Sequence, residues 1–92
     1  MRESRLALKR HVIVERESVD DDLVLIDSRS GRMSACNETA SLLVAELQSG
    51  ATIGRLVKAL SARFEVTPEI ATRDVNALLD TLAAEGLLES TG

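Results

Sequence analysis

Asn37 divides the chain into two kinds of hydrophobic pattern, and that division constrains the fold more than any other feature. Before it, apolar residues come in short β-branched runs separated by turn formers. After it, they recur at i, i+3, i+4 and i+7 behind residues suited to capping helices. Runs of the first kind read as strands and segments of the second as helices. The expected class is α+β, with a three-stranded antiparallel sheet followed by three helices.

On the strand side, His11–Glu15, Leu23–Asp27 and Arg32–Cys36 are the expected strands. The second is apolar on both faces and so belongs in the centre. Val19–Asp22, with three adjacent acids, forms one turn; Ser28–Gly31 forms the other, where Gly31 is free to take a positive φ. Residues 1–10 are polar and basic and read as a flexible arm, leaving 11–90 as a single domain. On the helical side, Asn37 caps a segment with Ala40, Leu43, Val44 and Leu47 on one stripe, stopped at Gly50. Thr52 opens the next, with Ile53, Leu56, Val57, Leu60 and Phe64. Thr67-Pro68-Glu69 supplies cap, first-turn proline and first-turn acid for the third, whose stripe is Ala71, Val75, Leu78, Leu79 and Leu82. Gly86 ends it, and Leu87-Leu88 fold back against it.

Composition removes several function classes. Ninety-two residues make one modest core with little room for a deep substrate cavity. Residues 1–36 carry seven basic and seven acidic side chains; residues 37–92 carry four basic and eight acidic, which is the whole net charge of −4. Nucleic-acid binders show the opposite footprint, and Phe64, the single aromatic, provides no stacking platform. A third helix carrying Glu69, Asp74, Asp80 and Glu85 against Arg73 would be repelled by DNA phosphates, which weighs against a winged-helix regulator. The lone Cys36 forms no internal disulfide, no apolar run reaches the roughly 20 residues of a membrane span, and the N-terminus is too charged for a signal peptide. A cytoplasmic location follows, with no membrane partner. One His and one Cys on different strands make a poor nucleophile–base pair, and two such residues cannot build a structural zinc site. No cofactor, no metal and no enzymatic role are expected.

From Leu25 to Leu88 a longer pattern emerges. Gly31-Arg32-Met33-Ser34-Ala35-Cys36-Asn37-Glu38-Thr39-Ala40 leads from strand to helix. Ser49-Gly50, Thr52-Ile53 and Leu56-Val57 follow, then Arg73-Asp74-Val75, Leu78-Leu79-Asp80-Thr81-Leu82 and Glu85-Gly86-Leu87-Leu88. This resembles the pyrroloquinoline quinone biosynthesis protein D family over about two-thirds of the chain, with Cys36 where the family usually has leucine. Members recognise precursors of ribosomally made, post-translationally modified peptides, including those of lasso-peptide pathways. The resemblance implies a winged-helix-like fold. It also implies a leader peptide that adds as a strand to the edge of the third strand, with the third helix as the other wall. The binding residues it implies are Arg32, Met33, Ser34, Ala35 and Cys36 on the strand. On the helix they are Ile70, Arg73, Asp74, Ala77, Asp80, Thr81 and Ala84. The partners implied are the precursor's leader peptide and a modifying enzyme or leader peptidase. Two other readings stay open: the small helix residues only let helix and sheet pack closely, or the strand edge serves a protein–protein adaptor or a domain-swapped dimer.

Overall fold

Each expected helix forms where its cap lies. In the computed structural model, which describes residues 4–16, 18 and 21–91, Asn37 Oδ1 accepts the Ala40 N–H at 2.8 Å and opens α1 (Glu38–Gln48). Thr52 Oγ1 accepts from Arg55 N at 3.1 Å and opens α2 (Ile53–Phe64). Thr67 Oγ1 accepts from Ile70 N at 3.2 Å and opens α3 (Pro68–Ala84), with proline at its start. Gly50 and Gly86 take the positive φ values of 88° and 74° that end α1 and α3.

The strands are β1 (Arg5–Leu8), β2 (Val12–Glu15), β3 (Val24–Asp27), β4 (Arg32–Ala35) and β5 (Leu88–Thr91). β2, β3 and β4 make the antiparallel sheet in that order, with β3 central as its apolar character requires. The expected strands are each trimmed at one end: His11 and Leu23 precede theirs, and Cys36 follows its own. Asp21 and Asp22 are exposed, as a solvated turn should be; Val19 and Asp20 lie outside the described residues.

The reading of residues 1–10 as a flexible arm requires correction. Arg5–Leu8 pairs antiparallel with Leu88–Thr91, and Leu6 exchanges both backbone hydrogen bonds with Ala51, at 2.7 and 2.9 Å. Leu6 and Leu8 pack against the core. The partners lie at opposite ends of the chain, so no local pattern announces the pairing. Met1–Glu3 lie outside the described residues.

One apolar cluster unites the halves. Leu23 and Leu25 from the sheet meet Leu43, Val44 and Leu47 of α1, Leu56 and Leu60 of α2, Ala71, Val75, Leu79 and Leu82 of α3, and Leu87. Leu43, Leu47, Leu56, Leu60 and Leu82 are fully buried, each contributing about 1.5–3 kcal/mol. Ile53 departs from its expected stripe: it is 42% exposed, because α2 begins before it reaches the core.

Alternation sorts the sheet's side chains. The register sets Val14, Leu25 and Ser34 in one cross-strand row and Val12, Asp27 and Arg32 in another, both on the face toward the core. Ile13, Ile26 and Met33 form a row on the opposite face, where Ile13 is 44% and Met33 65% exposed.

Candidate functional site

β4 is an edge, and its hydrogen-bonding pattern decides which groups it offers. In an antiparallel pair, alternate residues bond to the partner and the others point away. Cys36 N donates to Leu23 O at 2.9 Å, which makes Cys36, Ser34 and Arg32 the residues turned toward β3. Met33 and Ala35 therefore direct their N–H and C=O groups away from the sheet, where no strand among the described residues takes them up.

α3 faces this edge without closing on it. It packs closely on α2 and β5, and β4 is not among the elements it packs on closely. Two clefts lie beside α3. The first, about 430 Å³, lies between Arg32 and Ser34 of β4, Leu25 and Asp27 of β3, and Ala84, Glu85 and Leu87 at the end of α3. The second, about 390 Å³, lies between the start of α1 and the middle of α3, against Asn37, Ala40, Leu43, Asp74, Ala77, Leu78 and Thr81. Positions 74, 77, 81 and 84 share one helix flank, so both clefts lie along the same side of α3, the first reached by Arg32 and Ala84 and the second by Asn37 and Asp74. The small residues on α3 thus line open space rather than close contact with the sheet.

Of the expected residues, six line the clefts: Arg32, Ser34, Asp74, Ala77, Thr81 and Ala84. Met33 and Ala35 contribute backbone to the edge while their side chains occupy the outer face. Cys36 packs against the core instead. Ile70, Arg73 and Asp80 are exposed on α3 but line neither cleft. Sequence reasoning missed Leu25, Leu87, Asn37 and Leu43, which floor or close the clefts. Their signal was hidden because each already served as a core residue or helix cap.

Charge at the first cleft is organised by Asp27. Its carboxylate accepts from the Arg29 backbone N–H at 2.9 Å and from the Arg29 guanidinium at 3.3 and 3.4 Å. The guanidinium hydrogen bond first, then the backbone one, hold the Asp27 carboxyl below its ordinary value of 3.8. The Arg29 guanidinium also reaches the turn after α3: a Cβ on Gly86 would stand 3.2 Å from its nitrogen. His11 Nε2 lies 3.9 Å from Asp27 Oδ1 and makes no hydrogen bond among the described residues. Cys36 sits at the other end of β3, roughly 13 Å of strand away. Burial first, and the Asp22 carboxylate second, push its thiol up from 9.0. The two residues do not meet. Among the described residues no cluster of three or more metal-ligating side chains occurs, and no helix is long and apolar enough to cross a membrane.

The family model described as coenzyme PQQ synthesis protein D (PqqD) matches residues 22–88. The chain belongs to the PqqD family. Its matched span runs from the start of β3 to β5 and so includes both groove walls. No curated protein matches the sequence. Among solved structures, a lasso peptide synthetase B1 complexed with the leader peptide is 30% identical, with a TM-score of 0.76 over 91% of this chain and 96% of that one. TbiB1 in complex with the TbiA(beta) leader peptide is 25% identical, with a TM-score of 0.81 over 90% and 94%. The PqqD truncation of Methylobacterium extorquens PqqCD, a stand-alone recognition element for ribosomally synthesised and post-translationally modified peptides, is 21% identical. Its TM-score is 0.73 over 92% and 88%, and that likeness concerns the fold alone.

Proposed function

We propose that this PqqD-family chain captures the leader segment of a ribosomally made precursor peptide and presents it to a separate enzyme that modifies the peptide or removes its leader. The observation that carries this reading is the unpaired β4 edge held apart from α3 by a groove, in a fold shared with leader-bound relatives. The leader enters as an added strand. Its backbone bonds to the Met33 and Ala35 N–H and C=O groups, and alternate side chains enter the clefts beside Arg32 and Ser34 and beside Asp74, Ala77, Thr81 and Ala84. Each such bond contributes about 0.5–1.5 kcal/mol net, and one or two buried apolar side chains about 1.5–3 kcal/mol apiece. After ordering costs, this gives micromolar to nanomolar affinity.

The domain acts by binding, without chemistry of its own: it raises the local concentration of the attached core peptide at the enzyme, in the cytoplasm where such precursors are made.

The test is fluorescence anisotropy with the labelled leader of the precursor encoded beside this chain's gene. A label is needed because the protein has no Trp or Tyr. Saturable binding in the micromolar range or tighter is expected. Absence of binding at tens of micromolar, with protein folded and peptide intact, would overturn the reading in favour of an adaptor role.

A further inference from the structure

The second cleft is chemically lopsided. Its lining joins aliphatic Ala40, Leu43, Ala77 and Leu78 to polar Asn37, Thr39 and Thr81, and its single formal charge is Asp74. Asp74 is exposed and makes no ion pair or hydrogen bond among the described residues. Several polar atoms nearby are engaged: Asn37 Oδ1 accepts from Ala40 N and Thr39 Oγ1, and Thr81 Oγ1 donates to Ala77 O. A cleft of about 390 Å³, lined in equal parts by polar and aliphatic residues and carrying one unpaired carboxylate, suits a particular shape of side chain. That shape is a long aliphatic stem ending in a cation, the form of lysine and arginine, which bury the stem and keep the charge at the rim.

We infer that this cleft is a subsite for a lysine or arginine of the bound leader, with Asp74 as its counter-ion and as the residue that selects it. The inference rests on the leader-binding reading and adds a substrate class to it: leaders carrying a basic residue that faces the middle of α3. Two further features agree. The whole excess of acid lies in residues 37–92, and α3 with its flanks carries Glu69, Asp74, Asp80 and Glu85 against Arg73 alone, so long-range attraction favours a cation on this wall. The first cleft differs: Arg32 stands there beside Glu85, and Asp27 is already engaged by Arg29. A leader lying in the groove therefore meets opposite demands at its two ends, and only the Asp74 end asks for a cation.

The experiment is a double-mutant cycle by anisotropy. It pairs the wild-type chain, Asp74→Asn and Asp74→Lys with the labelled leader encoded beside the gene and with versions in which each Lys or Arg in turn becomes Gln or Glu. Asp74 has no partner in the fold, so its variants should keep their circular dichroism and melting. Neutralising Asp74 or one particular basic leader residue should each weaken binding about five-fold, the upper end for an exposed pair, and the two losses should not add. Asp74→Lys should be rescued by the Glu version at that same leader position. The loss should shrink as salt is raised. If the unaltered leader binds but Asp74→Asn stays within two-fold, or the losses add at every position, the subsite is wrong and the groove stands. A leader that binds without any basic residue overturns it equally. If the unaltered leader does not bind at all, the groove reading fails and the subsite falls with it.

Discussion

The two walls of the groove are built from opposite materials. β4 presents main chain: the outward-turned N–H and C=O groups of Met33 and Ala35, with the Met33 and Ala35 side chains on the far face of the sheet. α3 presents side chains, because a helix satisfies its own backbone along its length. A wall of main-chain groups binds any extended peptide, since every residue but proline offers the same donor and acceptor. A wall of Asp74, Ala77, Thr81 and Ala84 distinguishes peptides by size and charge. Affinity therefore comes mainly from the sheet and choice from the helix.

The strongest way to break that division is to damage one wall's chemistry and leave its shape. Ala35→Pro removes an edge donor that β3 does not use, and proline is tolerated on edge strands. Leader affinity should fall tenfold or more, about 1.4 kcal/mol, with the melting temperature little changed. Met33→Ala on the same strand removes the most exposed large apolar side chain and should leave affinity nearly unchanged, because only its backbone faces the peptide. If the two effects are reversed, the strand binds through side chains and the comparison collapses.

A smaller effect sharpens the other wall. Ala77→Leu places three more carbons in the second cleft while keeping a good helix former on an exposed position. Stability should stay within about 0.5 kcal/mol of wild type. Affinity should drop several-fold for a leader with a large residue at that position and recover for one shortened there. Isothermal titration of the two leaders against both proteins decides it. A uniform loss for both would mean that α3 contributes bulk rather than choice.

How much of this was legible in the sequence differs between the walls. The helices were legible because their signals are local: Asn37, Thr52 and Thr67 each act within three residues, and Gly50 and Gly86 mark two of the ends. The α3 wall came from the family resemblance, and helical spacing is what sets Asp74, Ala77, Thr81 and Ala84 on one flank of it. The sheet was half legible. β2, β3 and β4 are joined by turns and appear as separated runs, whereas β1 and β5 pair across nearly the whole chain, and a four-residue run such as Arg5–Leu8, set among charged neighbours, carries no hint of a distant partner. The site showed the same limit. Small residues on α3 could be listed, but whether they faced space or a packed sheet depended on the separation of α3 from β4, a tertiary distance that no periodicity encodes. Ile70, Arg73 and Asp80 lie on the same helix but line neither cleft, because closeness along a helix does not fix which residues border one opening.

The smallest effect concerns where the two walls are tied. Asp27, on the sheet side of the first cleft, holds Arg29, and the Arg29 guanidinium abuts the Gly86 turn that ends α3. That approach brings the sheet side and the end of α3 together at one end of the groove. Because the Asp27 carboxyl is held below its ordinary 3.8, the folded state favours its ionised form. The resulting stabilisation is fully present above the unfolded value and is lost as pH falls through the lower folded one. Asp27→Asn keeps the shape and removes the charge. It should melt slightly below wild type at about pH 6, and the gap should narrow below about pH 4 and vanish as wild-type Asp27 protonates. Thermal melts followed by circular dichroism across that range measure the gap directly. A gap that persists unchanged at the acid end would show that Asp27 acts through packing rather than charge. The walls would then be tied by shape at this end, and the sheet side of the groove would owe nothing to electrostatics.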